Sequence, residues 1–599
     1  MEQEKIYDVI ILGAGTGATA AAIQSARSGA KTLWINPLNW AGGMWTSAGV
    51  SATDGNHRLP AGLWSEFRDS LRQHYGGVDS LFTGWVSNTM FEPRVGAMYL
   101  GNMIKKEANL LVHYQTNWDK VEQADNWKIE FQKEQKTQFA FAKILIDGTD
   151  LGDVAAQVGA TYDIGMDDAS KTGEAMAPGA NNIIQDLTYS AILKEYPTEK
   201  VIPKPDNYDP AQFYCACKNP KCDDPAIDLD CKKMLDYGKL PNDKYMINWP
   251  KKGNDYYANI IEASAAERAA AFAKAKEKTL HFIYFIQTEL GFPTYGIAED
   301  EFPTDDNLPL YPYHREGRRI HGEVQMNVNH ILDPYATPLY RTGIAVGDYP
   351  IDHHHYEYSD APEIEFPSVP SFNVPLGSLI PKNVDNLVVA DKPISVTNIV
   401  NGSSRLQPVI LQIGQVAGLV AAEAAKADVS PKDLNIRNLQ NKIVEFDGYL
   451  MPFIDVEPSD PHFESIQRIG ATGILRGKGI PYQWANQTWF YPDTFLLTKD
   501  VLTDLKAFDS KFDFEVKTEP LTVKNAVQII QQFQRNNDAA TTDEKTFIEQ
   551  IKQRWTTDFN LENFDLERLI TKRELAVVLD KTIDPFSMKS VNLQGDFLK

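Results

Sequence analysis

Histidine is concentrated in one short part of this chain, and that part is the first candidate for proton-transfer chemistry. Six of the eleven histidines lie between residues 314 and 355, and three of them are consecutive at 353–355. Imidazole exchanges a proton near neutral pH, so such a group of histidines is typical of an acid–base site. We predict that His353 is catalytic and that Asp352 orients its ring. Two alternatives stay open: metal binding by alternate histidines of an extended segment, and a solvated polar turn.

Arginines form a second group with chemical potential. Arg315, Arg318 and Arg319 lie within five residues, and a guanidinium binds a carboxylate or a phosphate through two parallel hydrogen bonds. We expect one of them to fix an anionic substrate or a cofactor diphosphate, and we name Arg319. The alternative is a structural network with the many acidic residues of the chain. Tyr349 is predicted to line the same pocket.

The segment that begins at Tyr7 is the strongest cofactor signal. A short apolar run meets a glycine turn, a helix of small residues follows, and a second strand is predicted over 31–36. In a dinucleotide fingerprint the first glycine makes the tight turn, the second lets a diphosphate approach, and the last small residue allows close helix–strand packing. The start of the helix offers N–H groups to the phosphates. The residues assigned to the cofactor here are Gly13, Gly15, Thr16, Gly17 and Ala18.

Asn36 ends the predicted second strand, where an acidic residue usually binds the ribose hydroxyls. An asparagine can also hydrogen-bond a hydroxyl group, but it does so without a charge. We assign Asn36 to the cofactor. By itself this segment leaves open whether the cofactor is NAD, NADP or FAD.

A second strand–loop–helix unit occurs late in the chain. A strand is predicted over 385–390, a polar loop over 401–405, and a helix that starts near Pro408. The repetition predicts a doubly wound, Rossmann-like α/β cofactor domain that is interrupted by an α+β substrate domain and followed by a mainly helical domain. The predicted boundaries are 1–165 and 376–430 for the cofactor domain, 166–375 for the insertion, and 431–599 for the helical domain.

Composition narrows the possible partners. A net charge of −22 argues against nucleic-acid binding, which needs clustered Lys and Arg. Polar residues interrupt the most apolar stretch, Val409 to Ala425, so we predict a buried helix and no membrane span. We expect a soluble protein that is cytoplasmic, or periplasmic or secreted if a signal peptide was removed. A small-molecule substrate and an unidentified electron acceptor are expected, and the oligomeric state is left open.

The four cysteines lie within seventeen residues, at 215, 217, 222 and 231. Such clustering predicts a local structural element. Local disulfides, free thiols and a metal site are the alternatives, although the spacing fits no common zinc pattern. Two disulfides would imply an oxidising compartment.

Five later blocks resemble the FAD-dependent oxidoreductase family of bacteria, and they occur in the family's order. They are the double-glycine loop 42–55, the segment 146–160, the block Arg315-Glu-Gly-Arg-Arg-Ile-x-Gly322, the element 347–353, and the stretch from Ser378 to Gly418. The resemblance implies noncovalent FAD and hydride transfer to or from a polar organic substrate, such as a sugar or a hydroxy-acid. The further cofactor residues that it implies are Gly42, Gly43, Met44, Thr46, Asp147, Gly148, Asp153, Asp391, Arg405, Gln407, Pro408 and Gly414. A helix starting near Pro408 would direct its positive end at the flavin.

The chain departs from the family pattern at three places. Asn36 replaces the usual acid, 148–150 reads Gly-Thr-Asp, and Asn398 stands where a histidine is often found. The departure at Asn398 puts any role of that imidazole in question.

The C-terminal part is less specific. Residues 453–477 resemble the start of an S-layer homology module, although a helical domain that packs on the flavin domain is the favoured interpretation. The alternative function is a cell-wall-polymer-binding protein that keeps a flavin-type scaffold without catalysis.

Overall fold

The first 150 residues alternate strands and helices. The computed structural model describes residues 6–514, 519–537 and 542–598. The elements of this first part are β1 Ile6–Leu12, α1 Thr16–Arg27, β2 Thr32–Ile35, α2 Gly62–Tyr75, α3 Pro93–Lys105, β3 Leu110–His113, β4 Trp118–Gln123, β5 Trp127–Lys133 and β6 Lys136–Asp147. The apolar run of β1 is buried except at its first residues, as a central parallel strand requires.

The middle of the chain contains short strands and helices of the predicted insertion. Its elements are α4 Asp153–Gln157, β7 Tyr162–Asp163, α5 Ala169–Thr172, β8 Leu187–Thr188, β9 Ala191–Glu195, α6 Cys231–Asp236, β10 Lys239–Leu240, β11 Lys244–Ile247, β12 Asp255–Tyr256, α7 Ala265–Thr288, β13 Tyr295–Ile297, β14 Arg319–Ile320, α8 Val328–Leu332, β15 Gly343–Gly347 and β16 Phe372–Pro375. An antiparallel sheet of order β10-β11-β9-β13 shares a separate apolar core with α7. A capping box between Ser264 and Glu267 starts α7.

The chain then returns to the first sheet through β17 Leu387–Val389, α9 Asn398–Ser404 and α10 Gln407–Ala427. The sheet has the order β3-β2-β1-β6-β5-β4, and β17 pairs in parallel with the end of β6. The pairs β2–β3, β1–β2 and β1–β6 are also parallel. The predicted α/β class with a Rossmann-like core is therefore confirmed, and the pairing of β17 supports the proposed interruption of the cofactor domain.

Small residues let α1 and α10 pack backbone against backbone. A Cβ on Gly414 would overlap the carbonyl oxygen of Gly17, and one on Gly418 would lie 2.5 Å from the carbonyl oxygen of Ala21. Among the described residues, α10 is the one helix long and apolar enough to suit a membrane span by composition. It is buried in the core against α1 and β15, as predicted for Val409 to Ala425.

The C-terminal part is mainly helical and packs on the rest of the chain. Its elements are α11 Ile436–Glu445, α12 Phe463–Thr472, β18 Lys478–Ile480, β19 Gln487–Trp489, α13 Thr498–Phe508, α14 Val523–Asn537, α15 Glu544–Thr557, α16 Lys572–Thr582 and α17 Pro585–Met588. Its apolar side chains belong to the same core as the first sheet. Gln440 of α11 donates a hydrogen bond to the carbonyl of Gly343 in β15 (2.9 Å).

The cysteine cluster forms two local disulfides, Cys215–Cys222 and Cys217–Cys231. All four sulfurs are used in these bonds, so the structure decides among the alternatives of disulfides, free thiols and metal. Cys217 is fully buried in the core around α7. The pair therefore holds the irregular segment between β9 and α6 onto that core.

Candidate functional site

The glycine turn after β1 is enclosed by backbone on two sides. Gly13 has φ +122°, and a Cβ there would overlap the carbonyl group of Gly148, while one on Gly17 would overlap the carbonyl oxygen of Ala390. A side chain therefore fits at neither position. Ala18 touches Gly148, since a Cβ on that glycine would overlap the methyl group of Ala18. The predicted close packing of helix and strand thus depends on both residues.

The double-glycine loop is fixed to the first turn of α1. The hydroxyl group of Thr16 donates a hydrogen bond to the carbonyl of Gly42 (2.9 Å). The N–H of Gly42 in turn donates a hydrogen bond to the hydroxyl group of Thr19 (2.9 Å). Gly43 has φ +52°, and a Cβ there would lie 2.5 Å from the nitrogen of Thr16. Thr46 closes the loop with a hydrogen bond to the carbonyl of Ala41 (2.5 Å).

A cavity opens at the glycine turn, and we call it the glycine-turn cavity. It lies beside the end of β2 and is covered by α7 of the inserted unit. Its lining residues are Gly13, Ala14, Gly15, Pro37, Leu38, Trp118, Thr149, Asp150, Leu151, Asp153, Arg268, Phe272, Tyr311 and His314. The adenosine diphosphate end of a dinucleotide binds to surfaces of this kind: a glycine turn, the end of the second strand and aromatic rings.

Asp150 and Asp153 line this cavity, and the buried Asp147 lies behind its wall. Asp147 accepts hydrogen bonds from the N–H groups of Thr149 (2.9 Å) and Ala155 (2.8 Å), so it shapes the turn after β6. Burial raises its pKa to about 6. Asp153 pairs with both guanidinium nitrogens of Arg268 and with Arg318 (2.7 Å). Although burial alone would raise the pKa of Asp153, these two arginines hold it below its usual value.

Asp391 follows β17 in the chain, and its side chain lies beside the first turn of α1. Its carboxylate accepts a hydrogen bond from the N–H of Gly17 (2.9 Å), and Lys392 bridges it to Asp150 with contacts of 3.0 and 2.7 Å. Burial and the negative charge of Asp150 raise the pKa of Asp391, which the charge of Lys392 opposes. A side-chain carboxylate therefore already uses the dipole of α1 at Gly17, and the open surface for phosphate is the edge formed by 13–15.

Asn36 is buried and bonded within its own loop. Its amide donates to the carbonyl of Trp40 (3.1 Å), and its oxygen accepts from the N–H of Leu38 (2.8 Å). The side chain thus positions Pro37 and Leu38, which line the glycine-turn cavity. Asn36 itself is fully buried and is not among the residues that line the cavity, so its contact with a ribose stays a prediction.

The first turn of α10 borders a second cavity, which we call the polar cavity. Four predicted cofactor or catalytic residues meet there with Met44 of the double-glycine loop: Tyr349, Asp352, Arg405 and Gln407. The complete lining is Met44, Val50, Ala52, Asp54, Val86, Tyr237, Met246, Asn248, Tyr313, Arg315, Tyr349, Asp352, His354, Arg405, Leu406 and Gln407. Pro408 occupies the first turn of α10, where a missing N–H costs nothing.

A charged network fixes one wall of the polar cavity. Arg405 donates to the hydroxyl of Tyr313 (2.7 Å) and to the carboxylate of Asp352 (2.8 Å). His354 lies 3.0 Å from that carboxylate and 3.5 Å from the carboxylate of Asp255. Burial would raise the pKa of Asp352, but the contacts with His354 and Arg405 lower it. Asp352 is therefore held in its charged form.

Arg315 is held on the same wall. It donates to the carboxylate of Asp255 (3.1 Å) and to the carbonyl of Asp186 (2.8 Å), and its guanidinium lies 4.9 Å from the ring centre of Tyr313. Burial raises the pKa of Asp255, but Arg315 and His354 lower it to about 2.

Asp54 lines the same cavity without a comparable cation contact. Burial and the negative charge of Asp352 raise its pKa to about 7, and the charge of Arg405 opposes this only in part. A carboxyl group with this pKa exchanges a proton near neutral pH, which is the property required of a general acid or base. Tyr349 is a cavity neighbour whose pKa is raised well above its usual value by burial.

Two predicted catalytic residues lie outside the polar cavity lining. His353 packs against Phe366, with ring centres 4.8 Å apart, and against Gly402. Burial and the nearby charges of His355 and Arg405 lower its pKa to about 3, so it is neutral. Arg319 is buried between Glu316 (3.0 Å) and Asp167 (2.8 Å). Its guanidinium has the paired arrangement that we considered as the structural alternative.

Sequence reasoning did not choose three charged or titratable side chains that line the polar cavity: Asp54, Arg315 and His354. Each lies within a motif that the sequence did single out, the loop 42–55, the arginine group and the histidine group. The missing information was the direction of each side chain. Neighbouring residues such as His353 and His354 point to different sides of the backbone, so proximity in sequence could not separate them.

Comparison with known proteins identifies the class. The model of the family described as FAD dependent oxidoreductase matches residues 8–443. The chain belongs to the FAD-dependent oxidoreductase family. The family resemblance of the five blocks is confirmed. The match ends before residue 453, so the S-layer resemblance stays a prediction. A search of curated proteins finds no significant match.

Solved flavoenzymes share part of the fold. A p-nitrophenol 4-monooxygenase from Pseudomonas putida is 11% identical, with 32% of this chain and 48% of that chain covered and a TM-score of 0.22. The flavin-dependent monooxygenase PieE, in complex with FAD and substrate, is 13% identical over 32% and 35% of the two chains, with a TM-score of 0.21. A T. acidophilum thioredoxin reductase is 18% identical over 28% and 40%, with a TM-score of 0.16. The chain spans less than half the length of each, and we base no functional argument on them.

The residues of the two cavities fit FAD. The glycine turn would hold the diphosphate, the glycine-turn cavity the adenosine, and the first turn of α10 the flavin end. The polar cavity also contains buried polar atoms without a hydrogen-bond partner among the described residues, including the amide oxygens of Gln407 and Asn248. Buried polar atoms are normally paired, so these atoms are available to a polar ligand.

Proposed function

We propose that the protein transfers a hydride between FAD and a polar organic substrate such as a sugar or a hydroxy-acid. The observation that carries this proposal is the character of the polar cavity at the first turn of α10. It is lined by two arginines, two aspartates, a histidine and three tyrosines. Such a lining offers hydrogen-bond partners to hydroxyl and carboxylate groups, which an apolar substrate would leave unpaired.

Asp54 is the proposed proton acceptor when a substrate hydroxyl group is oxidised. Its pKa of about 7 lets it take the proton near neutral pH and return it in the reverse direction. FAD, when bound, supplies the hydride acceptor or donor. Asp352, His354 and Arg405 act together as a fixed polar wall that orients the substrate hydroxyl groups.

The first turn of α10 is proposed to stabilise negative charge at the flavin end of the site. Leu406 and Gln407 line the polar cavity, and the helix that follows is 21 residues long. Its N–H groups and the positive end of its dipole favour an anionic group there. Tyr349 and Arg315 complete the proposed substrate contacts.

The absorbance spectrum of the purified protein tests the cofactor, and anaerobic bleaching tests the reaction. We expect flavin bands that are lost on denaturation, and bleaching by members of a panel of sugars and hydroxy-acids. The variant Asp54→Asn should retain the flavin bands and bleach at least about 100-fold more slowly, the usual contribution of a general base. Asp504→Asn is the matched control, because Asp504 is another acid with a raised pKa, about 6, in α13.

A colourless protein that cannot be reconstituted with FAD would overturn the proposal and favour the polymer-binding alternative. A flavin-containing Asp54→Asn variant that bleaches at the normal rate would remove Asp54 from the mechanism and leave the reaction class intact.

We also propose that the protein and its electron acceptor work in an oxidising compartment. Two disulfides in one loop support this proposal, because such bonds are rare in the cytosol. Alkylation of the protein from its native source, under denaturing conditions without reductant, should modify none of the four cysteines. Four alkylated cysteines would contradict it.

A further inference from the structure

We propose that the loop between β18 and β19 forms, with Tyr349, an aromatic subsite that binds a sugar ring of an oligosaccharide beyond the polar cavity. We call residues 481–486 the hairpin loop. The inference rests on the proposed function, because it makes the substrate of the polar cavity the end of a longer glycan.

An exposed aromatic surface continues from the wall of the polar cavity. Trp484 and Tyr482 of the hairpin loop are 66% and 60% exposed. The ring of Trp484 lies 5.8 Å from that of Tyr349, centre to centre, at an angle of 39°. Tyr349 itself lines the polar cavity and is 9% exposed. A single ring contact therefore connects the proposed reaction site with a solvent-facing indole.

The hairpin loop is held against the cavity wall by its backbone. The N–H of Asn486 donates to the carbonyl of Asp348 (2.8 Å), the residue before Tyr349. The side chain of Asn486 accepts from the N–H of Tyr482 (2.8 Å). Asp348 in turn accepts from the N–H of Asn56 (2.6 Å), beside Asp54. The backbone that carries the indole is thus positioned before a ligand arrives, which lowers the entropic cost of binding.

A second aromatic pair lies on the same hairpin. Trp489 of β19 stacks on Tyr491, with ring centres 5.7 Å apart and an angle of 17°. The guanidinium of Arg58 lies 5.3 Å from the ring centre of Trp489. Arg58 is exposed and lies four residues after Asp54. The segment that carries the proposed base therefore also contacts the aromatic hairpin.

The chemistry of this surface favours a sugar over other occupants. A pyranose ring presents C–H groups on its faces and hydroxyl groups on its edge, so it stacks on a flat indole and bonds to polar neighbours. The polar residues Gln483, Asn486 and Gln487 lie between the aromatic rings in sequence, unlike the apolar centre of a protein interface. The net charge of −22 opposes binding to an anionic membrane surface.

Glycan binding by the FAD-loaded protein tests the subsite directly. An array of oligosaccharides of four or more residues supplies the probe, and titration calorimetry with the best array member gives the affinity. We expect Trp484→Ala to weaken binding about tenfold, which corresponds to the loss of one stacking contact. Trp484→Phe should stay within about threefold of the wild type. Phe139→Ala is the control, since Phe139 is a 48% exposed ring on β6.

Kinetics separates this inference from the proposed function. With the array member as substrate, Trp484→Ala should raise KM about tenfold without a matching fall in kcat, and bleaching by a monosaccharide should be unchanged. Glycan binding that Trp484→Ala weakens, without any bleaching, would support the subsite and reject the proposed reaction. The subsite would be overturned if the wild type bound no member of the array, or if Trp484→Ala bound the array member with unchanged affinity.

Discussion

At the scale of single residues, the two aspartates of the polar cavity differ because their neighbours differ. Asp352 contacts Arg405 and His354, so it stays charged. Asp54 is half-buried near that negative charge, and its pKa rises to about 7 because of desolvation and that charge. Two neighbouring acids with separated pKa values suit separate roles, one as a permanent anion and one as a proton carrier.

Asp54 makes stability depend on pH in a predictable direction. Its pKa in the folded protein is about 7, against 3.8 for the free group. The folded state therefore binds the extra proton between these values, and stability falls as the pH rises through this window. Asp54→Asn should match the wild type near pH 4 and be more stable by about 2–3 kcal/mol above pH 8, allowing for screening by cavity water.

Denaturant unfolding of the FAD-free protein at pH 4, 6 and 8 measures this difference. Asp125→Asn, at an exposed position of the first sheet, should differ from the wild type by the same small amount at each pH. A constant difference for Asp54→Asn would show that the pKa of Asp54 is not raised.

At the scale of elements, glycines decide how closely the cofactor-binding units approach. Gly13 contacts Gly148, the residue after β6, and Gly17 contacts Ala390, the residue after β17. Gly414 of α10 contacts Gly17. The turn is therefore a junction of three chain segments as well as the predicted phosphate-binding surface.

Gly17→Ala should prevent normal packing of this junction. Its methyl group would overlap the carbonyl of Ala390, a backbone atom that cannot rotate away. We expect loss of FAD binding and destabilisation of about 4 kcal/mol or more, measured by flavin retention and by denaturant unfolding. Gly101→Ala is the control, because a Cβ there meets no atom within 4 Å inside α3. That control should be neutral or stabilising by up to about 1 kcal/mol.

The disulfides support the polar cavity through one aromatic contact. Ala216, between Cys215 and Cys217, accepts a hydrogen bond from the indole of Trp249 (3.1 Å). The ring of Trp249 lies 5.1 Å from that of Tyr237, which lines the polar cavity. The cysteine segment therefore has a structural connection to the site.

Removal of the buried disulfide should cost more than removal of the exposed one. Cys217–Cys231 closes the longer loop and Cys217 is buried, whereas Cys215 and Cys222 are partly exposed. We expect the pair Cys217→Ala and Cys231→Ala to lose about 3 kcal/mol or more, and Cys215→Ala with Cys222→Ala about 2 kcal/mol. Urea unfolding of both double variants measures the order, and the reverse order would contradict the assigned burial.

At the scale of the whole molecule, the C-terminal part shares the core of the cofactor domain. Gln440 donates a hydrogen bond to the carbonyl of Gly343 in β15. Gly473 packs so closely on Tyr340 that a Cβ at this glycine would overlap the tyrosine hydroxyl. Arg341 donates to the carbonyl of Gly595 (3.1 Å). These contacts are those of a packed domain, in contrast to a module connected only by a linker.

We expect flavin release and loss of helical structure to occur in one transition on heating. A shared core couples the two parts, so unfolding of either exposes apolar surface of the other. Flavin fluorescence and far-UV circular dichroism, recorded in the same scan, should give the same midpoint. If helical structure were lost in a separate transition without flavin release, the C-terminal part would be an independent module.

Local patterns were sufficient where a feature depends on neighbouring residues. The strand, turn and helix at 6–27, the buried character of 409–425 and the family blocks were all readable, because strand and helix periodicity and glycine requirements act over a few residues. The positions of His353 and Arg319 were not readable in this way. Each side chain faces partners distant in sequence, Phe366 for one and Asp167 for the other.

By itself, the sequence determined the class of the protein: an α/β member of the FAD-dependent oxidoreductase family, with a predicted cofactor turn that begins at Gly13. Only the tertiary structure decided which side chains meet in the polar cavity and in what charge state. Asp54, Arg315 and Asp352 come from three separate segments, and the pKa of each acid depends on burial and on charges that folding brings together. Local propensity acts along the chain, whereas electrostatic environment acts through space.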